Sequence, residues 1–190
     1  MNLTEAKTEV LRMVARPDKG VEAIAAINKV LSLLTLKGEF PQDIVESTLN
    51  INATLSAATI ALTSLIRFRR FVYIKPTGTR YYLTKIGSDQ VFTPGSKMQL
   101  NRYYLAGTNL TYTLSALNSS LEIAYYQAAT VLTEVIGNDT HWMLTTIPYA
   151  VVELAAAKLY RQIGDDASAN QYEASGMQLF NTYVADSRQP

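Results

Sequence analysis

The spacing of apolar residues changes twice along this chain of 190 residues, and the change limits the folds open to it. Up to about residue 42, apolar side chains recur every three or four positions, which is typical of amphipathic helices. They then alternate, in segments rich in Thr, Tyr, Ile and Val, as in strands. Helical spacing returns near residue 131. This order predicts an α+β protein, with a small bundle of N- and C-terminal helices and an inserted antiparallel β domain.

Four helices are predicted around the β region, in two pairs. We place the first pair in residues 1–42, the β domain in residues 43–130, and the second pair with a terminal arm in residues 131–190. The first apolar stripe consists of Leu3, Ala6, Val10, Met13 and Val14. The second consists of Val21, Ile24, Ile27, Leu31 and Leu34. Pro17 should end the first helix, and Asp18 is expected to cap the second.

The closing pair of helices is predicted from capping residues as well as from periodicity. Thr140 is a suitable N-cap for the first turn of helix after the β region. Pro148 is expected at the first position of the main helix, where its missing N–H costs nothing. Gly164 should end that helix, and Asp165 should cap the next. The last apolar stripe consists of Tyr172, Gly176, Leu179, Phe180 and Tyr183.

The β region is predicted to form about six strands, one of them in the long segment "ATIALTSLIRFRRFVYI", residues 58–74. The stretch "NRYYLAGTNLTYTLS" is typical of a hairpin, with Gly107 supplying a positive φ at the turn. Three Tyr-Tyr pairs begin at Tyr81, Tyr103 and Tyr125. Neighbouring side chains in a strand point to opposite faces, so each pair should bury one ring and display the other. Displayed tyrosines are favourable interface residues.

Composition excludes several classes of protein. The formal net charge is +1, so no strong overall field would attract nucleic acid or an anionic membrane. Cysteine is absent, which excludes disulfides, thiolate metal sites and a cysteine nucleophile. No apolar run approaches the roughly 18 residues of a membrane span, and the first residues are too charged for a signal peptide. We therefore expect a protein made in the cytoplasm, without a membrane partner.

The reactive side chains do not favour an enzyme. His141 is the single histidine, and no spacing typical of a histidine metal site surrounds it. Neither a nucleophile elbow nor a glycine-rich phosphate loop occurs. Asp165 and Asp166 are explained by a cap and a favourable helix dipole. We expect no catalytic residue, no metal and no cofactor, and we interpret His141, beside Trp142, as structural.

One local cluster of charge lies in "IRFRRFVYIK", where Arg67, Arg69, Arg70 and Lys75 alternate with aromatic residues. A strand would need a bulge at the Arg69–Arg70 step to return the following aromatic residues to the inner face. The cluster can be the solvated outer face of a strand. Interleaved basic and aromatic residues also suit contact with DNA or an acidic partner. Both interpretations remain open from the sequence.

The C-terminal stretch "LYRQIGDDASANQYEA" is similar to the turn of a tetratricopeptide hairpin, but such a unit needs copies about 34 residues apart, and there are none. The chain more closely resembles the head-to-tail connector, or adaptor, proteins of tailed bacteriophages, of the tail tubular protein A type. Trp142 five residues before Ile147-Pro148-Tyr149, the helix "AVVELAAAKLYRQIG" and the following "DDASANQYEA" carry the resemblance. The opening helices and the Tyr-rich strands support it.

The resemblance implies a virion structural protein at the head-tail junction. About a dozen copies would form a closed ring under the portal protein, join the DNA-filled head to a tail or nozzle protein, and continue the channel for passing double-stranded DNA. The end of the chain would reach the portal, which makes Tyr183, Val184, Asp186 and Arg188 a candidate docking arm. Trp142, Pro148, Gly164 and Asp165 would be structural anchors.

Two other functions stay open at this point. The chain could be another neck component, such as a head-completion or tail-terminator protein. It could also be a cytoplasmic binding module whose β domain holds a ligand. An acidic run that would repel DNA from a channel wall is not evident, so the sequence does not assign the face that lines the channel.

Overall fold

The computed structural model describes residues 1–52, 57–87 and 100–187. The chain forms two compact units: Met1–Gln42 with Ala129–Pro190, and Asp43–Ala128. The described residues contain five helices and seven strands, which confirms the α+β class. The helices are α1 (Leu3–Val14), α2 (Gly20–Lys37), α3 (Trp142–Thr146), α4 (Pro148–Gln162) and α5 (Asp166–Asp186). The strands are β1 (Ile44–Asn50), β2 (Ala58–Ala61), β3 (Phe68–Pro76), β4 (Thr84–Lys85), β5 (Arg102–Ala106), β6 (Asn109–Thr113) and β7 (Ser120–Gln127).

The first unit is a helical bundle built around α4. Both N-terminal helices and α5 pack against α4, so helices from both ends of the chain share one bundle. The shared core is mainly aliphatic and includes Leu3, Val10, Ile27, Leu31, Val151 and Ala155. Asn2 caps α1: its side chain accepts from the Glu5 amide, while the Glu5 carboxylate accepts from the Asn2 amide.

Three sequence predictions for the bundle are wrong in detail. Lys19, and not Asp18, is the N-cap residue of α2; the Asp18 carboxylate accepts instead from the Arg16 guanidinium. Val21 is 80% exposed and Leu179 is 42% exposed, although both belong to predicted apolar stripes. The buried residues of α2 are shifted around the helix and include Ala23, Ala26 and Val30. The stripe that faces a partner depends on where that partner lies, and sequence spacing alone does not define this position.

Residues 128–141 form no helix, although helical spacing was predicted to return near residue 131. The Thr133 amide donates to the Asn138 carbonyl oxygen, and the Asn138 amide donates to the Val135 carbonyl oxygen. Gly137 takes a φ of 90° between them. These bonds fold the segment into a loop, and the first helical turn begins only at Trp142, with His141 rather than Thr140 as its N-cap.

The second unit contains two sheets. The order β1-β7-β3 forms a three-stranded antiparallel sheet, and β2-β6-β5-β4 forms a four-stranded sheet. All described pairs are antiparallel except the short pair of β4 with β5. The core of this unit is rich in Leu, Ile and Tyr, and includes Ile74, Leu110, Tyr112, Leu121 and Ile123.

The strands differ in number from the prediction because one long apolar segment divides. Residues 58–74 were expected to form one strand, but the chain turns between β2 and β3. The Leu65 amide donates to the Leu62 carbonyl oxygen in this turn, and Arg67 has a φ of 53°. The hairpin prediction is confirmed: β5 pairs with β6, and Gly107 takes a φ of 58° at the turn.

Candidate interaction surfaces

The basic cluster lies at the start of β3, on a strand that contains the expected bulge. The register of β3 against β7 shifts between Phe68 and Arg70, and again between Phe71 and Tyr73. An extra residue in a strand reverses the alternation of faces. Arg67 and Arg70 are therefore both exposed, while Phe68 and Phe71 both pack on the core of the unit.

The four basic residues do not form one continuous patch. Arg70 lies over the ring of Tyr126, with Cζ 5.1 Å from the ring centroid, a cation–π geometry. Lys75 lies at the other end of the strand, roughly 26 Å from Arg67 at the rise of an extended chain. Its Nζ atom is 2.7 Å from Glu122 Oε2, and this bond lowers the pKa of Glu122 and raises that of Lys75. Lys75 is thus paired within the sheet, and it lies apart from Arg67, Arg69 and Arg70 at the start of the strand.

The aromatic residues of this unit form a connected cluster beneath the basic ones. The Phe68 ring centroid is 4.6 Å from that of Phe71 and 5.7 Å from that of Tyr125. Phe71 meets Tyr103 edge to face at 6.0 Å. Tyr73 does not join this core: its hydroxyl donates to Glu46 Oε1.

Each Tyr-Tyr pair buries its first ring more deeply than its second. Tyr103 and Tyr125 are buried, whereas Tyr104 and Tyr126 are half-buried. At the first pair the chain is not a strand, yet Tyr82 is exposed beside the half-buried Tyr81. Burial raises the pKa of Tyr103. The displayed rings remain candidates for contact with another molecule.

The candidate docking arm begins inside α5 and not after it. Tyr183 packs its ring 5.9 Å from Trp142 and 6.2 Å from Phe40, and accepts a hydrogen bond at its hydroxyl from Gln42. Val184 is also packed on the core of the bundle. Asp186 is the last residue of α5. Arg188, the remaining residue of the candidate arm, lies outside the described residues.

The residues proposed as structural anchors occupy the ends of the C-terminal helices. Trp142 starts α3, and its ring centroid lies 5.0 Å from that of Phe40. Pro148 is the first residue of α4. Gly164 has a φ of 82°, which reverses the chain after α4. Asp165 Oδ1 accepts from the Ser168 amide at 3.0 Å, and the hydrogen bonds to Ser168 lower the pKa of this carboxyl group.

Neither a group of metal ligands nor a membrane-spanning helix is found among the described residues. No group of three His, Asp or Glu side chains within them is arranged to hold a metal ion. None of the described helices combines the length and apolar character that crossing a bilayer requires. In the β unit, the depression lined by Thr77, Leu117 and Asn118 is wide and open. A ligand-binding module would need a concave, mostly apolar pocket.

Two further surfaces were not predicted from the sequence. One is an apolar loop on the helical unit, in which Val131, Val135 and Ile136 are all strongly exposed. The other is a small groove between α2, α4 and α5. The sequence feature that could have predicted the exposed loop is "VLTEVIGND", in which three β-branched aliphatic residues lie near a Gly-Asn turn. The spacing of these residues is typical of a helix, so the sequence predicted a helical stripe where the structure has an exposed loop.

A comparison with protein-family models matches residues 1–190 to the SU10 adaptor protein family. This chain belongs to that family. A search among curated proteins finds no match. As an SU10 adaptor, the chain is a phage structural protein of the virion and not an enzyme, and its family is one that associates with portal and tail components. The family membership confirms the phage adaptor predicted from the C-terminal motifs.

Proposed function

We propose that this SU10 adaptor joins the DNA-filled head to the tail by forming a ring of about a dozen copies under the portal protein. The ring would continue the DNA channel and hold a tail or nozzle protein on its far side, as in adaptors of the tail tubular protein A type. The family match over the whole chain carries this proposal. The described residues support it because they expose aliphatic and aromatic side chains that can contact other proteins.

Within this proposal, the basic cluster contacts passing double-stranded DNA without reading its sequence. Arg67, Arg69 and Arg70 supply the charge at the start of β3, and Lys75, paired with Glu122, lies at the far end of the same strand. Phosphate contacts of this kind depend on charge and not on base identity. An acidic face of a neighbouring neck protein would use the same cluster.

The portal contact is assigned to the end of the chain. Tyr183 and Val184 fix the last turns of α5 to the bundle, which would orient Asp186 and Arg188 toward the portal. Trp142, Pro148, Gly164 and Asp165 hold the helices that carry this segment. The β domain, residues 43–130, would act as a separate module inserted into the bundle of residues 1–42 and 131–190.

Electron microscopy of reconstituted particles tests the proposal. The full-length protein is mixed with portal-containing heads of the phage that encodes it, and the particles are averaged. A ring of added density under the portal is expected, and heads without added protein are the control. Density at a different level of the neck would indicate a head-completion or tail-terminator role. Particles identical to the control would contradict the proposed function.

A further inference from the structure

The apolar loop of the helical unit exposes three aliphatic side chains to solvent. Ile136 is 96% exposed, Val131 is 69% exposed and Val135 is 65% exposed. Isolated exposed aliphatic residues are normal, but a cluster rimmed by polar residues is typical of an interaction site. The three residues lie within six positions of one another on one loop.

The loop is fixed to the bundle and does not expose its residues by fraying. The Asn28 side chain on α2 donates from Nδ2 to the Leu132 carbonyl oxygen at 3.0 Å and accepts at Oδ1 from the Leu132 amide at 2.7 Å. Glu134 is paired with Lys7 on α1. Leu132, between the exposed residues, is buried. The bundle thus holds this loop in place with its apolar side chains directed outward.

A groove of matching chemistry lies on the same unit. Its walls are formed mainly by aliphatic side chains of α2, α4 and α5, among them Val30, Leu33, Leu34, Leu154 and Met177. The groove has a volume of about 80 Å³. Small-molecule sites are typically about 300–1,000 Å³, so this space suits a protruding side chain and not a cofactor.

The loop and the groove lie on opposite sides of α2. Asn28 marks the side that holds the loop, and Leu33 and Lys37 mark the side that lines the groove. At about 100° per residue, Leu33 is turned about 140° and Lys37 about 180° from Asn28. Two different surfaces on opposite sides of a subunit are what a head-to-tail interface requires, and such interfaces close into rings.

The charges around the two surfaces are complementary. Residues 131–139 contain two acidic residues and no basic one; Glu134 is paired with Lys7 of its own chain, and Asp139 is the second acidic residue. The groove is bordered by Lys37, Lys158 and Arg161; Arg161 is paired with Glu173, the acidic residue that lines the groove, so Lys37 and Lys158 supply its excess positive charge. Burial and the nearby Lys29 lower the pKa of Lys158, so a further carboxylate there would be favourable. Opposite charges at the rim of an interface favour correct docking.

We infer that the apolar loop of one copy inserts into the groove between α2, α4 and α5 of the next copy. Ile136 is the side chain that enters, and Asp139 approaches Lys37 and Lys158 at the rim of the groove. This inference adds a specific contact to the proposed ring function. It rests on that function, because the contact closes a ring only when many copies assemble. The partner is a second copy because one chain carries both complementary surfaces, on sides that cannot meet each other.

Disulfide cross-linking tests the contact directly, because the native chain contains no cysteine. Two full-length variants, Ile136→Cys and Leu33→Cys, are prepared separately, mixed at high concentration or on portal-containing heads, and oxidised. The mixture should give a covalent dimer, while each variant alone gives only traces, since Cβ atoms must approach to about 4 Å. Val21→Cys mixed with Leu33→Cys is the matched control and should not cross-link.

A charge substitution gives a second measurement. Ile136→Asp should weaken association between copies by about tenfold or more, because a carboxylate would have to enter an apolar groove. Its thermal unfolding should match that of the wild type, since the side chain is exposed. Ile66→Asp, an exposed isoleucine of the β unit, is the matched control and should assemble normally.

The two experiments distinguish a failure of the loop-to-groove contact from a failure of the proposed adaptor function. Rings that form with Ile136→Asp, without cross-links between the cysteine variants, would overturn the loop-to-groove contact and leave the adaptor ring intact. Cross-links in free protein that never forms a ring on the portal would support the contact and contradict the proposed function.

Discussion

Gly176 is a residue whose small size permits two helices to approach closely. It lies in α5, and a Cβ atom at this position would be 2.8 Å from Leu154 Cγ and 3.1 Å from the Ala150 carbonyl oxygen. The Ala150 carbonyl is backbone and cannot rotate away, so an added methyl group would force α5 from α4. Overpacking of this kind typically costs about 1–3 kcal/mol.

Gly176→Ala should therefore lower the free energy of unfolding, although alanine favours a helix by about 1 kcal/mol over glycine. Urea unfolding monitored by circular dichroism measures the change. Ser175→Ala, at the exposed neighbouring position, is the control and should be neutral or slightly stabilising. A Gly176→Ala protein more stable than the wild type would show that α5 does not pack as closely as described.

Asp165 links the stability of α5 to pH. Hydrogen bonds from Ser168 lower the pKa of this carboxyl group in the folded protein. A lowered folded pKa means that the stabilisation is present above the unfolded pKa, about 3.9, and is lost as the pH falls through the folded value. Asp165→Ala should thus be less stable than the wild type at pH 7.

The difference between the two proteins should shrink as the pH falls below about 4. Urea midpoints measured at pH 7 and at pH 3 test this expectation. Asp166→Ala is the control, because it removes a carboxylate at the neighbouring helix position and leaves the Asp165 cap in place. A difference that stays constant with pH would mean that the charge of Asp165 does not contribute to the cap.

Residues that act through local backbone chemistry could be predicted from the sequence. Pro148 and Asp165 each have one favourable position in a helix, and the structure places them there. The prediction of Thr140 as an N-cap is wrong, because the next residue, His141, accepts a hydrogen bond at Nδ1 from the Met143 amide instead. The prediction that Val21 faces the core is wrong for a different reason: its exposure depends on which helices surround α2.

The basic start of β3 is an element whose role can be tested by removing charge. If Arg67, Arg69 and Arg70 contact phosphates, changing all three to Gln should make binding to nonspecific duplex DNA less salt-dependent. The slope of log K against log salt should become less steep by about 2–3, because each phosphate contact releases about one counterion. Fluorescence anisotropy across a salt series measures the slope.

A control with the same loss of charge distinguishes location from net charge. Arg12, Arg16 and Lys19 lie on the helical unit, and changing these three to Gln removes three positive charges elsewhere. This variant should retain most of the wild-type slope. An unchanged slope in the β3 variant would assign its arginines to the solvated face of the sheet.

Whole elements were harder to predict than their end residues. The division between β2 and β3 arises from a turn with a positive φ at Arg67, a residue that does not signal such a turn. The segment 131–141 has helical spacing, yet the bonds from Asn28 and the Gly137 turn hold it as a loop. The Asn28 bonds are tertiary contacts, and a local pattern does not contain them.

At the scale of the whole molecule, the bundle depends on both ends of the chain. Leu3 and Val10 of α1, and Ile27 of α2, are fully buried in a core completed by α4 and α5. A chain that stops after Thr140 should therefore leave these faces uncovered. We expect it to bind a hydrophobic dye and to elute as large aggregates in size-exclusion chromatography.

Removing only residues 188–190 is the matched control for this truncation. These residues follow α5, which ends at Asp186, so the shortened protein should elute like the wild type. A monomeric, dye-negative protein ending at Thr140 would show that the N-terminal helices do not need their C-terminal partners.

The insertion of one unit into the other also has a consequence during synthesis. About 110 residues separate the end of α2 at Lys37 from the start of α4 at Pro148. At about 5–20 residues per second, the first two helices leave the ribosome roughly 5–20 s before the helix that covers them. The nascent chain must keep their apolar faces shielded through this interval, while the β unit has time to fold. A ribosome-associated chaperone is therefore expected to bind the emerging N-terminal segment and to release it when translation ends.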